Sequence, residues 1–184
     1  GGRLDLFEAD LLTAITLPVL QSLGGYELHE CGAMTDVGTF PVLTTITNDL
    51  TVHYDDALDS LAGFAGIRSV GALVVRFDDA LTTLSDLSSL TAVTRAVDVN
   101  HMDALPSLDL PVLATVGGLI VDHDAALVEP GLPALTTVVG DVQVVDNAAL
   151  STCALEALLD GLVIGGTVTC GANLDDGCLT WCLP

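Results

Sequence analysis

One short pattern of apolar and polar positions recurs along almost the whole chain. Each copy contains two apolar residues separated by one residue, and successive copies lie 22 to 26 residues apart. The eight pairs are Leu4/Leu6, Tyr26/Leu28, Leu50/Val52, Leu73/Val75, Val97/Val99, Leu119/Val121, Val142/Val144 and Val168/Cys170. Because alternate residues of a strand point to the same side, each pair predicts a short strand with one buried face.

The second half of each copy has a different period. Apolar residues there occur at every third position, as in Leu81, Leu84, Leu87 and Leu90. Proline also recurs in this half, and proline neither donates within a sheet nor fits a helix interior. We therefore predict extended or tightly turning backbone in this half rather than a long helix.

A single coil of this kind cannot bury its apolar residues, but stacked coils share a continuous core. Their strands would pair in parallel, about 4.8 Å apart. The pattern therefore predicts a mainly β protein, a right-handed parallel β-solenoid of about eight leucine-rich coils of ~23 residues.

The C-terminal part departs from the repeat. Leucines recur at helical spacing between Ser151 and Leu162, and Ser151 is suited to cap that helix. A last strand and a cysteine-rich tail follow, and a solenoid must seal the end of its core. We therefore predict one domain, with solenoid repeats in residues 1–150 and a C-terminal cap of helix, last strand and tail in residues 151–184.

The motif L-x-L-x-x-N, with spaced leucines after it, resembles the leucine-rich repeat. The interval near 23 residues and the glycines before the strand are more similar to the receptor L-domain, the leucine-rich module of growth-factor-receptor ectodomains. The resemblance covers nearly the whole chain and implies the solenoid fold, but it implies no particular partner. The Asn position, three residues after each pair, holds Ala9, Cys31, Asp55, Asp78, Met102, Asp124, Asn147 and Asn173. With so many departures, we do not expect a continuous ladder of buried Asn.

Four of the five cysteines lie near the C-terminus and allow three pairings. The resemblance implies a disulfide between Cys153 and Cys178, since the family pattern places one cysteine in the cap helix and one after the last strand. Cys170 and Cys182 then remain as the second pair, although Cys170 also fits a buried free thiol. Cys31 is expected as a buried thiol, with an intermolecular disulfide as the alternative. Clustered cysteines favour an oxidising, extracellular or cell-surface location.

Composition narrows the possible functions. The chain has 25 acidic and four basic residues, a formal charge of −21. Such a chain is unsuited to nucleic acid or to an anionic membrane, and its apolar runs are too short for a transmembrane segment. Sequence motifs of hydrolases, metalloproteases, phosphate-binding loops and redox enzymes are absent. We therefore predict no enzyme activity.

Acidic residues are concentrated in the turn after each strand. Stacking would place Asp55, Asp56, Asp78, Asp79 and Asp124 near equivalent residues of the next coil, where carboxylates repel each other unless a cation or water intervenes. A calcium site is one interpretation. Solvated turns, in which Asp is favoured by local hydrogen bonds, are the other. No further cofactor is expected.

Histidines are also expected to stack between neighbouring coils, His29 on His53 and His101 on His123. A transition-metal site is one interpretation of these pairs. Histidines in surface turns are the other.

The functional prediction is a non-catalytic extracellular module for binding or adhesion at the cell surface, with a protein partner. The alternative is a structural subunit that self-associates into an extracellular fibre or surface layer, with or without assistance from calcium. The first coil starts in phase with the repeat and has no capping helix, so we expect its apolar residues to be covered by an upstream segment or by a neighbouring subunit. This predicted assembly face comprises Leu4, Leu6, Leu12, Ile15 and Leu20.

Overall fold

A computed structural model describes residues 1–178 of the chain. It shows a parallel β-solenoid of about seven turns of ~23 residues, with one short α-helix near the C-terminus. The predicted fold class is confirmed. Within the described residues, no helix has the length and apolar character needed to cross a membrane.

Two parallel ladders of strands run along the solenoid, and both include parts of the two longest strands. In chain order the strands are β1 (Arg3–Phe7), β2 (Ser22–Leu23), β3 (Gly25–His29), β4 (Thr45–Ile46), β5 (Asp49–His53), β6 (Ser69–Val70), β7 (Ala72–Arg76), β8 (Ala92–Asn100), β9 (Thr115–Asp122), β10 (Thr137–Val138), β11 (Val142–Val145), β12 (Val163–Ile164) and β13 (Val168–Gly171). The main ladder follows the order β1, β3, β5, β7, β8, β9, β11, β13, and the minor ladder contains the two-residue strands.

The register of the main ladder reproduces the alignment of the sequence repeats. Leu4 lies opposite Tyr26 and Leu6 opposite Leu28, and every later pair of the repeat lies opposite the next. The coils approach each other closely at Gly117. A Cβ atom there would overlap the carbonyl oxygen of Arg95 in the preceding coil, so only glycine fits.

The second half of each coil is extended or tightly turned, as predicted. Leu81, Leu84, Leu87 and Leu90 are all fully buried. Short 3₁₀ helices occur in this half at Ala62–Phe64 and Ser85–Leu87. The apolar residues at this three-residue spacing therefore line the side of the core opposite the main ladder.

The C-terminal cap begins with the helix α1 (Thr152–Leu159). The side chain of Ser151 caps it by accepting a hydrogen bond from the backbone N–H of Ala154, at 3.0 Å. The expected disulfide between Cys153 and Cys178 is present, with their Cα atoms 4.8 Å apart. Cys170 is also disulfide-bonded, so it is not a free thiol. Its expected partner, Cys182, lies outside the described residues.

The first coil is less enclosed than those that follow. All five residues of the predicted assembly face pack against the core but are only partly buried. Their counterparts in the second coil are almost completely buried, with exposures of 0–1%: Tyr26, Leu28, Met34, Val37 and Leu43. The described chain therefore has an apolar N-terminal end that no coil covers.

Candidate functional site

Every coil turns at the same position as it leaves the main ladder. The residue two places after each apolar pair has a positive φ, between 48° and 61°. These residues are Glu8, Glu30, Tyr54, Phe77, His101, His123, Asp146 and Ala172. Non-glycine residues rarely adopt this conformation, so the stacked coils, rather than local preference, impose the turn.

Aromatic rings occupy this turn position in four consecutive coils. The ring centroids of Tyr54 and Phe77 are 4.5 Å apart, those of Phe77 and His101 4.3 Å, and those of His101 and His123 4.7 Å. This spacing follows from the distance between paired strands. The stack is continuous from the third coil to the sixth.

Two histidines extend the stack towards the first coil. His29 and His53 occupy the preceding position of their coils, and their ring centroids are 4.1 Å apart. The ring of His53 lies 5.5 Å from that of Tyr54. Both predicted histidine pairs therefore stack. We call the six residues His29, His53, Tyr54, Phe77, His101 and His123 the ring column.

The ring column lies at the surface beside exposed acids. Tyr54 is 45% exposed, and His123 is also exposed. Asp56, Asp79 and Asp103 follow the column two residues later in their coils, and all three are exposed. The ion pairs of the described arginines involve other acids: Arg3 with Asp5 and Glu27, Arg76 with Asp98, and Arg95 with Asp49. The column is therefore an aromatic strip bordered by carboxylates without an arginine partner among the described residues.

The histidine nitrogens of the column face separate partners. Nε2 of His53 lies 3.4 Å from a carboxylate oxygen of Glu27, and Nε2 of His29 lies 3.3 Å from Glu30. Burial, and then the neighbouring His29, lowers the pKa of His53, although Glu27 acts in the opposite direction. Because the two rings stack face to face and their Nε2 atoms lie beside different glutamates, these nitrogens do not converge on one metal ion. The geometry therefore favours surface histidines over a transition-metal site.

The next residue of each coil points into the core instead of outwards. We call the residues at this position the inner ladder: Cys31, Asp55, Asp78, Met102, Asp124, Asn147 and Asn173. Cys31, Asp55, Asp78, Met102, Asp124 and Asn147 are fully buried. The inner ladder corresponds to the Asn position of the repeat. Cys31 is a free, buried thiol, as expected.

Hydrogen bonds connect the inner ladder from coil to coil. The backbone N–H of Cys31 donates to Oδ1 of Asp55 at 2.7 Å, and that of Asp55 donates to Oδ1 of Asp78 at 2.8 Å. The same bond joins Asp124 to Oδ1 of Asn147 at 2.9 Å. Asp therefore takes the place of Asn as acceptor. Met102 has no oxygen to offer and interrupts the series.

The five aspartates considered for calcium do not form one group. Asp55, Asp78 and Asp124 are buried inside the turns, whereas Asp56 and Asp79 point to solvent. Oδ1 of each inward aspartate accepts a backbone N–H of the preceding coil. Within residues 1–178, three potential metal-ligand atoms come close together only beside the cap disulfide, whose sulfurs are already bonded to each other. The geometry therefore does not support a calcium site at these turns, and the three inward residues are not solvated either.

Burial changes the acidity of the inward carboxyl groups. It raises the pKa of Asp78 to about 8 and that of Asp124 to about 7, and it also raises the pKa of Asp55. Backbone hydrogen bonds act in the opposite direction at each of them but do not cancel the effect of burial. The buried aspartates occupy the Asn position of the repeat, whereas their exposed neighbours Asp56 and Asp79 follow it.

A groove of about 750 Å³ lies beside the cap helix. Pro130, Pro133 and Leu158 form part of its wall, and its two acids are Asp109 and Glu129. No described histidine or cysteine lines this groove. Ser85 is the hydroxyl-bearing residue of its lining.

Comparison with known proteins gives no match to any family profile, curated protein or solved structure. The likeness to leucine-rich L-domains therefore stays a proposal, supported by the repeat interval and the parallel solenoid.

Proposed function

We propose that this chain is a non-catalytic extracellular binding module, and that the ring column is its contact surface for a cationic segment of a partner protein. The observation that carries the proposal is the continuous stack from Tyr54 to His123 beside exposed carboxylates. The stacked rings present their edges to solvent, and the aliphatic stems of Lys and Arg can pack along them while their charged heads reach the bordering carboxylates. The surrounding acids add long-range attraction for a basic partner. Repetition in successive coils offers an elongated partner several equivalent contacts.

Other features support the non-catalytic and extracellular parts of the proposal. The carboxyl groups with the most displaced pKa values, Asp78 and Asp124, are closed inside the coils and cannot meet a substrate. The cap is held by a disulfide between Cys153 and Cys178, and such bonds persist in oxidising compartments. A leucine-rich module of an ectodomain is consistent with both features.

Binding of short oligolysine and oligoarginine peptides, measured by titration calorimetry, tests the proposal. We expect binding that weakens with salt, and no binding of oligoglutamate. The double variant Tyr54→Asn, Phe77→Asn should weaken binding about tenfold, a loss that corresponds to roughly 50 Å² of apolar contact with the two rings. Asn is chosen because it tolerates the left-handed conformation.

A matched control is Val163→Asn, which changes a residue that is 70% exposed and lies outside the column. It should bind the peptides like the unmodified chain. If the double variant and this control bind equally well, the ring column is not the contact surface.

The open first coil favours a second candidate, a structural subunit that adds copies end to end. Leu11 is 95% exposed and Val19 is 85% exposed, and the core residues beside them are only partly buried. An apolar solenoid end is suited to stacking by another copy, and a head-to-tail contact that does not close gives a fibre. Polymerisation would then proceed through this end.

Sedimentation velocity over a range of protein concentrations tests this second candidate. The chain should form larger species as its concentration rises, and Leu11→Glu with Val19→Glu should keep it monomeric. Val112→Glu, at an apolar residue that is 39% exposed in a central coil, should reduce assembly less. A chain that stays monomeric at every concentration removes this candidate.

A further inference from the structure

Three oxygens of the inner ladder lack the partner that a buried polar atom requires. Oδ2 of Asp55, Asp78 and Asp124 is buried and accepts no hydrogen bond. Oδ1 of the same carboxyl groups accepts a backbone N–H. An ionised carboxylate in this position would bury an unsatisfied charged oxygen, which is costly. The same deficiency at three equivalent positions calls for one common explanation.

The asparagines of the inner ladder show which hydrogen bond is made by the side-chain atom that corresponds to Oδ2 of the aspartates. Nδ2 of Asn147 donates to the backbone carbonyl of Val121 at 3.0 Å, and Nδ2 of Asn173 donates to that of Val144 at 2.8 Å. In both cases the acceptor is the second apolar residue of the preceding coil. The Sγ of Cys31 lies 3.7 Å from the equivalent carbonyl oxygen, that of Leu6, and 3.5 Å from the carbonyl oxygen of His29 in its own coil. The position therefore calls for one acceptor atom and one donor atom.

We propose that Asp55, Asp78 and Asp124 are neutral carboxylic acids in the folded protein and that each donates its Oδ2–H to the preceding coil, as Asn147 does with its amide. The register of the main ladder identifies the acceptors as the backbone carbonyls of Leu28, Val52 and Val99. A protonated carboxyl group has the acceptor and the donor that an amide has. The inner ladder is then hydrogen-bonded in both directions at these coils.

The charges around the three carboxyl groups oppose ionisation. Their titratable neighbours are His29, Tyr26 and Asp56 at Asp55, Asp55 and Asp56 at Asp78, and Asp98, Asp103 and Asp122 at Asp124. Asp55 opposes ionisation of Asp78 only when Asp55 is itself ionised. His29 alone among these groups favours the ionised form. No arginine of the described chain forms an ion pair with any of the three aspartates. Burial remains the largest influence on each carboxyl group.

The proposal makes the solenoid sensitive to pH. In the unfolded chain these carboxyl groups ionise near their ordinary pKa of about 4. In the folded chain the pKa is about 7 for Asp124 and about 8 for Asp78, so unfolding between these limits releases protons. The contribution to stability is fully present below pH ~4 and is lost as pH rises through about 7 to 8. The ladder is thus stable in acid and loosened by alkali.

A triple variant with Asn at positions 55, 78 and 124 tests the proposal. Its melting temperature should be nearly independent of pH between about 5 and 9, whereas that of the unmodified chain should fall. Concentrated sodium chloride in all samples suppresses the repulsion between surface acids. The matched control replaces the exposed neighbours, Asp56→Asn, Asp79→Asn and Asp103→Asn, and should keep the slope of the unmodified chain. If the inward triple variant also keeps that slope, or melts lower at every pH, the three aspartates are ionised and the proposal fails.

A second measurement does not require the variant to fold. Carbon-13 NMR of the aspartate carboxyl groups follows the 20 aspartates of the unmodified chain through a pH titration. Three signals should keep the chemical shift of a neutral acid after the exposed aspartates have ionised. Titration of all carboxyl groups together, near their ordinary pKa, overturns the proposal whatever the variant does. Neither outcome depends on whether the ring column binds a cationic partner.

Discussion

The two halves of the inner ladder meet the same requirement with different chemistry. Asp55 and Asp78 occupy the part before Met102, which we call the Asp half. Asn147 and Asn173 follow Asp124 in the part after Met102, which we call the Asn half. The bonds from the backbone to Oδ1 are 2.8 Å at Asp78 and 3.1 Å at Asn173. The coil geometry therefore requires one acceptor and one donor, whichever side chain provides them. An amide provides both at any pH, whereas a carboxyl group provides both only while it holds a proton.

The largest effect should come from removing the hydrogen bonds of the Asn half. Asn147→Leu leaves the backbone N–H of Asp124 and the carbonyl of Val121 without their partners. Each buried group left unsatisfied costs about 1–3 kcal/mol, so we expect a loss near 3 kcal/mol. Urea unfolding at neutral pH should show a lower midpoint with an unchanged slope. An unchanged midpoint would mean that these bonds contribute nothing, and it would remove the basis of the comparison.

A somewhat smaller loss of stability is expected when one asparagine of the Asn half is replaced by aspartate. Asn147→Asp should fold nearly as stably as the unmodified chain at pH ~4, because a neutral carboxyl group can replace the amide. At pH ~8 it should be less stable by about 2 kcal/mol, since the buried group then ionises or binds a proton at a cost. The sign follows from a pKa raised by burial, as at neighbouring Asp124. Equal losses at both pH values would show that a carboxyl group cannot replace the amide.

A gain of about 1 kcal/mol in the free energy of unfolding is expected from a substitution at Met102, which separates the two halves. Met102 is fully buried between Asp78 and Asp124 and offers no oxygen to the backbone N–H of Asp78. Met102→Asn would supply an acceptor and a donor, and a typical hydrogen bond contributes about this much. Met102→Ala is the control, because it leaves a cavity and adds no hydrogen bond, so it should destabilise the chain. If both variants lose stability equally, the interruption is not a missing hydrogen bond.

The sequence predicted the features that depend on repetition. Alternation in the strands, the three-residue spacing of the leucines and both histidine pairs follow from the repeated pattern itself. The disulfide between Cys153 and Cys178 was implied by the resemblance to leucine-rich modules and is present. The burial of the aspartates depends instead on one left-handed residue per coil. Tyr54 and Phe77 occupy that position, and neither is a glycine that would mark it.

For this reason the adjacent residues Asp55 and Asp56 looked equivalent in the sequence, although one is buried and the other exposed. The same is true of Asp78 and Asp79. The Asn position of the repeat was a usable signal, since it separates the inward from the outward member of each pair. What it could not indicate is the protonation state, which depends on burial and on carboxyl groups that lie close only after the coils have stacked.

The smallest effect should come from salt, and it separates the exposed acids from the buried ones. With a net charge of −21, the folded chain repels itself, and sodium chloride should raise the melting temperature by about a few degrees. Salt should leave the fall in stability with rising pH unchanged, because the inward carboxyl groups are shielded from ions by the core. Calcium at equal ionic strength should raise the melting temperature no further than sodium does. Asp56 and Asp79 point to solvent while Asp55 and Asp78 are buried, so adjacent aspartates cannot bind one ion together. Thermal melts in the two salts, recorded at pH ~5 and ~8, make the measurement. A rise in melting temperature with calcium but not with sodium would indicate a cation site at the turn acids. If sodium chloride abolished the fall in stability with rising pH, that fall would come from surface charge instead of the inner ladder.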